Sequence, residues 1–152
     1  MSKKTPHPGD IYAGLHDNVA TLKAAYPHQF TGPSISHDWP DGWHHLVEEA
    51  CAGLERLDPD SRWVQIKEKF GGLRLYSSPE KASSNRGAGP LLPTELQSLL
   101  DALEEQSLEA CSLCGGVHGQ GREITVEGWI ITACETCEPL IRAHRALPYG
   151  ER

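Results

Sequence analysis

Apolar positions recur at helical spacing in three stretches of the chain and alternate in one. Ile11, Leu15, Val19 and Leu22 are separated by three or four residues and predict a helix over 10–26, stopped by Pro27. Trp43, Leu46, Val47, Ala50, Cys51, Leu54 and Leu57 form a second stripe, with Glu48, Glu49 and Glu55 off it. It predicts a helix over 43–57, capped by Asp41 or Gly42 and ended by Asp58-Pro59-Asp60. Leu96, Leu99, Leu100 and Leu103 predict a third helix over 94–109, and Thr94 with Gln97 suggests a capping box. Residues 28–42, punctuated by Gly32, Pro33, Pro40 and Gly42, read as a loop.

Between the second and third helices the period changes to two. Val64, Ile66 and Phe70 alternate with Gln65, Lys67 and Lys69, then Gly71-Gly72 precedes Leu73-Arg74-Leu75-Tyr76. Two alternating runs around paired glycines predict a hairpin over 62–78. Its apolar face carries Val64, Ile66, Phe70, Leu73 and Leu75; its polar face carries Gln65, Lys67, Lys69, Arg74 and Tyr76. Residues 77–93, with four Ser, three Pro and two Gly, read as a flexible connection.

The remaining third of the chain is organised by cysteine. Cys111-Ser-Leu-Cys114 and Cys134-Glu-Thr-Cys137 are two C-x2-C pairs separated by nineteen residues. Each short pair can wrap one edge of a tetrahedron, provided the intervening chain folds back. Arg122–Val126 and Trp129–Ala133, around Glu127-Gly128, predict the two strands that do so. Leu140, Ile141, His144 and Leu147 predict a helix from Cys134 to about Leu147. A knuckle, a hairpin and a ligand-bearing helix is a treble-clef-like arrangement, expected to hold one structural zinc ion on Cys111, Cys114, Cys134 and Cys137. Four thiolates leave no open position for a substrate. Disulfides are disfavoured without an export signal, and a redox dithiol needs one pair rather than two. Cys51, on an apolar stripe, reads as a small buried hydrophobe.

The expected fold class is α+β: three helices and a β-hairpin in a body over 1–109, closed by a zinc-binding module over 110–152. Charge narrows the functional classes. The 152-residue chain carries 14 Lys+Arg against 21 Asp+Glu, net −7. The acidity is uneven: residues 62–86 hold six bases and two acids, whereas 1–61 and 87–109 are each net −5. Net acidity argues against general coating of DNA. No apolar run approaches the ~20 residues of a membrane span, and no apolar stretch follows the basic N-terminus, so a cytoplasmic protein is expected.

Two other groups carry potential chemistry. His37, Asp38, Asp41, His44 and His45 could trade protons or bind a metal, but the adjacent His44 and His45 diverge on a helix and no H-x3-H spacing is present. Asp38 and Asp41 read as turn and cap residues. Lys67, Lys69, Arg74 and Tyr76 form a cationic strand face suited to an acidic protein or to phosphates, and otherwise a solvated edge. Trp39, beside Pro40 in the loop, is the remaining candidate partner contact. Trp43 and Trp129 lie in amphipathic patterns and read as core.

The run Val64-Gln65-Ile66-Lys67-Glu68-Lys69-Phe70-Gly71-Gly72-Leu73-Arg74-Leu75-Tyr76 resembles a group of small bacterial and phage proteins. These share a Gly-Trp opening to a helix, here Gly42-Trp43, a V-x-V-K-E-K-F-G-G-L-R-F-Y-like hairpin and a C-terminal cysteine module. The resemblance spans about residues 42–137. It implies a prophage-like context and a metal-binding tail, and it brings no catalytic residues; Cys137 stands where many members have a histidine. Three functions are compatible with these features. The expected one is a zinc-stabilised, non-enzymatic protein that docks onto a protein partner. The alternatives are a nucleic-acid-binding regulator and a metal-dependent nuclease-like enzyme of the His-Asn-His type, whose hairpin-end and helix histidines are here thiols and Glu.

Overall fold

The computed structural model describes residues 5–79 and 93–152. Most of the connection expected at 77–93 lies outside the described residues; residues 77–79 belong to a strand. Among the described residues the fold is a mixed α+β arrangement with four α-helices, not three: α1 (Leu15–Ala25), α2 (His44–Leu57), α3 (Thr94–Ser107) and α4 (Glu138–Arg145). The fourth belongs to the cysteine segment. The strands of the described residues, β1 (Ser36–His37), β2 (Ser61–Lys69), β3 (Gly72–Pro79), β4 (Arg122–Val126) and β5 (Trp129–Ala133), form two separate sheets.

In the first sheet β2 is central, antiparallel to β3 and parallel to β1. The two-residue β1 falls within the loop expected over 28–42, because so short a strand between Gly32-Pro33 and Pro40 has no period of its own. It is held by Ile35 N–H to Val64 C=O (2.9 Å) and Asp38 N–H to Ile66 C=O (2.8 Å). A register shift between Trp63 and Gln65 breaks the expected alternation of β2. A bulge of this kind lets residues three apart reach one face. Trp63 and Ile66 are therefore buried, whereas Val64 is only half-buried. Phe70, also assigned to the apolar face, sits at the turn and is 69% exposed.

The larger core lies between this sheet and α2 and α3. Leu46, Val47, Ala50, Cys51 and Leu54 from α2 meet Leu96, Leu100 and Leu103 from α3, together with Trp39, Trp43, Trp63, Ile66, Leu73 and Leu75. Cys51 is fully buried, and burial pushes its thiol up to about 12, as expected of a small core hydrophobe. Gln29, in a 3-10 turn over Pro27–Phe30, is buried and spends its whole amide inside: it donates to Cys51 C=O (2.8 Å) and accepts from Trp63 Nε1 (3.0 Å). That pairing satisfies a buried indole N–H which would otherwise cost ~1–3 kcal/mol.

A second core holds the cysteine segment: Ile11, Ile124, Val126, Ile131, Ala133 and Ile141 around Cys111, Cys134 and Cys137. Ile11 explains why α1 begins at Leu15 and not at residue 10. Its chain turns at Asp10, whose carboxylate accepts from Tyr12 N–H (2.9 Å), so that Ile11 packs into the distant module instead of along the helix. The expected caps also differ. Asp41 caps nothing on α2; its carboxylate accepts from Gly14 N–H at 2.9–3.0 Å. Thr94 lies inside α3, behind Pro93, and Gln97 pairs with Asp101 in place of forming a capping box. Among the described residues, no helix is long and apolar enough to cross a membrane.

Candidate metal centre

Each half of the cysteine site is built by short-range backbone geometry. After Cys111, a tight turn places Gly115 N–H on Cys111 C=O (2.8 Å), and Gly115 and Gly116 both take positive φ. This curl brings His118 N–H to 3.4 Å from Cys114 Sγ. β4 and β5, with the limits the sequence predicts, carry the chain out and back. The second pair lies in the turn leading into α4, with Cys137 as its N-cap, so the helix begins four residues later than expected. There Cys137 N–H lies 3.4 Å from Cys134 Sγ. Ser112 ties the halves together: its N–H (2.8 Å) and Oγ (2.5 Å) both donate to Thr132 C=O on β5.

All four sulfurs lie within 4.8 Å of one another, and Cys114 Sγ is 3.8 Å from Cys134 Sγ. A tetrahedron with metal–sulfur arms of ~2.3 Å has edges of ~3.8 Å, whereas a disulfide requires ~2.05 Å. The donor set therefore fits a structural metal site. Cys111, Cys134 and Cys137 are buried and Cys114 is half-buried, so the open side is at Cys114. Burial acts to raise the Cys114 thiol, but amide donation from His118 and Gly116 outweighs it and lowers the thiol to about 6. Around the site, Glu138 is clasped by Arg142 (2.8 Å) and Arg122 (2.6 Å), and this holds its carboxyl below the usual range. Arg122 also donates across the hairpin to Ala133 C=O, and Arg142 donates to Thr125 C=O, which fastens α4 to the hairpin.

The centre is joined to the body through the Gly42-Trp43 pair. Gly42 N–H donates to Ser112 C=O (2.7 Å), and Trp43 Nε1 donates to Ala110 C=O (2.8 Å) in a buried bond. A Cβ on Gly42 would fall 2.0 Å from Cys111 O. On the other side, Thr132 Oγ1 donates to Gly71 C=O (2.6 Å), so the β2–β3 turn rests on β5.

The histidine–aspartate cluster does not converge. His44 stacks on Trp39, receives its indole N–H (3.2 Å) and faces Glu48 at 3.5 Å. His37 packs edge-on against Phe30, beside an open groove it shares with Leu15, His16, Val19, Lys23 and Asp38. Asp41 belongs to Gly14, and His45 lies beside Gly115. Trp39, expected as an exposed partner contact, is fully buried in the larger core and so cannot serve as one. Trp129, expected in the core, is 61% exposed because it flanks the β4–β5 turn.

Lys67 and Arg74 are cross-strand partners, and Tyr76 faces Gln65 beside them. By the alternation of β2 and β3, Lys67, Lys69, Arg74 and Tyr76 share one sheet face. Arg74 reaches Glu104 at 4.0 Å, a carboxylate that also accepts Leu75 N–H. Tyr76 is 46% exposed.

On α4, His144 is buried, packs against His7 with the rings tilted at 36° and 5.1 Å apart, and leaves Nε2 without a hydrogen-bond partner. Burial lowers its pKa, opposed by Asp10 and reinforced by His7, Arg145 and Arg152. As pH falls through the ordinary range near 6.5, the unfolded chain takes up this proton before the fold does, so stability is lost on acidification. His144→Phe should flatten the fall in urea midpoint between pH 7.5 and 6 relative to the unaltered protein. An unchanged slope would mean that His144 titrates alike in the folded and the unfolded chain.

The chain matches no family model, no curated protein and no solved structure.

Proposed function

We propose that this chain is a zinc-stabilised, non-enzymatic binding protein that acts through protein–protein contacts, in a phage or prophage setting. The observation that carries the reading is the closed set of four thiolates, which a single ion would fill with no coordination position left for chemistry. Zinc is the ion this donor set favours, since tetrahedral S4 sites select zinc or iron. The order of knuckle, hairpin and helix supports a treble-clef-like module, built to hold a surface and not to turn over a substrate. The surface so held includes Lys67, Lys69, Arg74 and Tyr76. The dispersal of His37, Asp41, His44 and His45 to separate partners weighs against the nuclease-like alternative. The regulator alternative loses part of its cationic helix, because Glu138 already engages Arg142.

A tagged full-length chain, zinc-loaded and exposed to bacterial lysate with and without nuclease, tests the reading. A stoichiometric protein partner that survives nuclease, and is lost with Lys67→Glu/Arg74→Glu, is the expected result. Capture of nucleic acid alone, weakening steeply with salt, would replace it with the regulator reading.

A further inference from the structure

Two hairpin turns meet on one side of the molecule. Phe70-Gly71 links β2 to β3, and Glu127-Gly128 links β4 to β5. All four residues have positive φ: 53° and 80° in the first turn, 49° and 84° in the second. These are two-residue turns of the I′ kind, whose first position favours Asn, Asp or Gly. Phe70 is a bulky residue in a left-handed conformation, which carries a local conformational cost. It gains little burial in return, being 69% exposed. Folding alone does not explain an aromatic there.

Its neighbour is Trp129, the first residue of β5, also largely exposed. Phe70 and Trp129 line one open cleft of about 330 Å3, with Glu68, Lys69, Gly128 and Ile130. The turns are held in register by Thr132 Oγ1 on Gly71 C=O and by close approach of Gly71 to Ile130. The charges beside the cleft are unequal in commitment. Glu68 accepts Gly71 N–H (2.8 Å), and Glu127 pairs with Arg152 (3.4 Å). Lys69 lies 5.7 Å from the Phe70 ring centre. Arg145 lines a narrower cleft that shares Glu68, Trp129 and Ile130. Among the described residues, no carboxylate forms an ion pair with Lys69 or Arg145. The patch thus offers two exposed aromatic side chains, Phe70 with the Lys69 ammonium over its ring, and two cations, Lys69 and Arg145, that no described carboxylate pairs.

We propose that the paired hairpin tips form a docking site for an acidic peptide segment of a partner protein, carrying one aromatic or aliphatic anchor that sits between Phe70 and Trp129. The inference rests on the binding-protein reading and adds, beside the Lys67/Arg74 face, a second contact surface at the hairpin tips. Buried aromatic anchors with flanking charge pairs are the arrangement that concentrates binding energy at protein interfaces.

The test is selection of a displayed random 12-residue peptide library on the immobilised, zinc-loaded full chain, followed by anisotropy titration of the winning peptides. Enrichment of Asp and Glu around one apolar anchor is expected, with affinity falling at least tenfold in Phe70→Asn and in Trp129→Thr. Phe70→Asn is the decisive variant, because Asn-Gly suits this turn and the fold should survive. Lys69→Glu/Arg145→Glu should weaken binding and its salt dependence together. Winning peptides that are basic or lack an anchor would overturn the inference, as would binding indifferent to Phe70→Asn or failure to select any peptide. Peptides displaced only by Lys67→Glu/Arg74→Glu would overturn this site while leaving the binding-protein reading standing. Preferential binding of an oligothymidylate probe, or self-association abolished by Phe70→Asn, would assign the patch to nucleic acid or to a second copy instead.

Discussion

Chelation of the metal should unfold the cysteine segment and destabilise the body with it. Structural zinc in small modules is worth ~10–16 kcal/mol of apparent binding free energy, which is folding free energy when no site preexists in the unfolded chain. A domain's whole stability is only ~5–15 kcal/mol. The second core is small, and three of the four cysteines lie within it. Without the ion those thiols become buried polar groups around a void. Cys134→Ser should cost more than ~4 kcal/mol, because it breaks the site at a buried ligand that also accepts Cys137 N–H. Cys51→Ala, which removes a sulfur from the larger core, should cost only about 1 kcal/mol and leave metal content unchanged. Urea denaturation with metal analysis of both variants checks the contrast. Equal losses would mean that the metal contributes nothing to the fold.

Gly42→Ala should be strongly damaging as well. The added methyl would lie 2.0 Å from Cys111 O and 2.5 Å from the Ser112 carbonyl carbon, both backbone atoms of the knuckle. Neither can rotate away as a side chain would. Overpacking usually costs ~1–3 kcal/mol, and a clash with fixed backbone belongs at or above the top of that range. Relief requires parting α2 from the knuckle, which sacrifices Gly42 N–H to Ser112 C=O and strains the Trp43 bond to Ala110 C=O. The variant should therefore lose metal more readily as well as fold less stably. The measurement is the rate of metal transfer to a chromogenic chelator, compared with that of Gly150→Ala. Gly150 has open space around its missing Cβ and lies outside the cysteine knuckle. Equal transfer rates in the two variants would separate the helix opening from the metal site.

These effects also locate what the sequence could convey. The cysteine pairs and the strands between them were legible because the spacing is local: ligand, turn and hairpin each span a few residues. The stripe of α2 was legible for the same reason, since one continuous face packs against one core. What escaped depends on partners far away in the chain. Trp39 lies in a Pro-flanked loop, yet pairing of β1 with β2 carries it into the core. Ile11 keeps helical spacing with Leu15 but belongs to a core built from residues 111–141. Trp129 alternates as a core residue should, but its position beside a turn leaves it facing outward. Trp63 gained its place from a bulge that alternation cannot reveal. The exposed aromatic tip was hidden by the pattern itself, because Phe70 completes an apolar alternation that the strand never uses. Its signal was the turn chemistry: Phe precedes Gly where Asn would be expected.

A closed four-thiolate structural metal site underlies each of these effects. Metal quantitation combined with X-ray absorption at the zinc edge, on protein purified without added chelator, tests it most directly. One zinc per chain with four sulfur neighbours at ~2.3 Å, and no nitrogen or oxygen neighbour, is the predicted result. Less than one metal per chain with the thiols freely titratable, or a coordination shell that includes water, would contradict it.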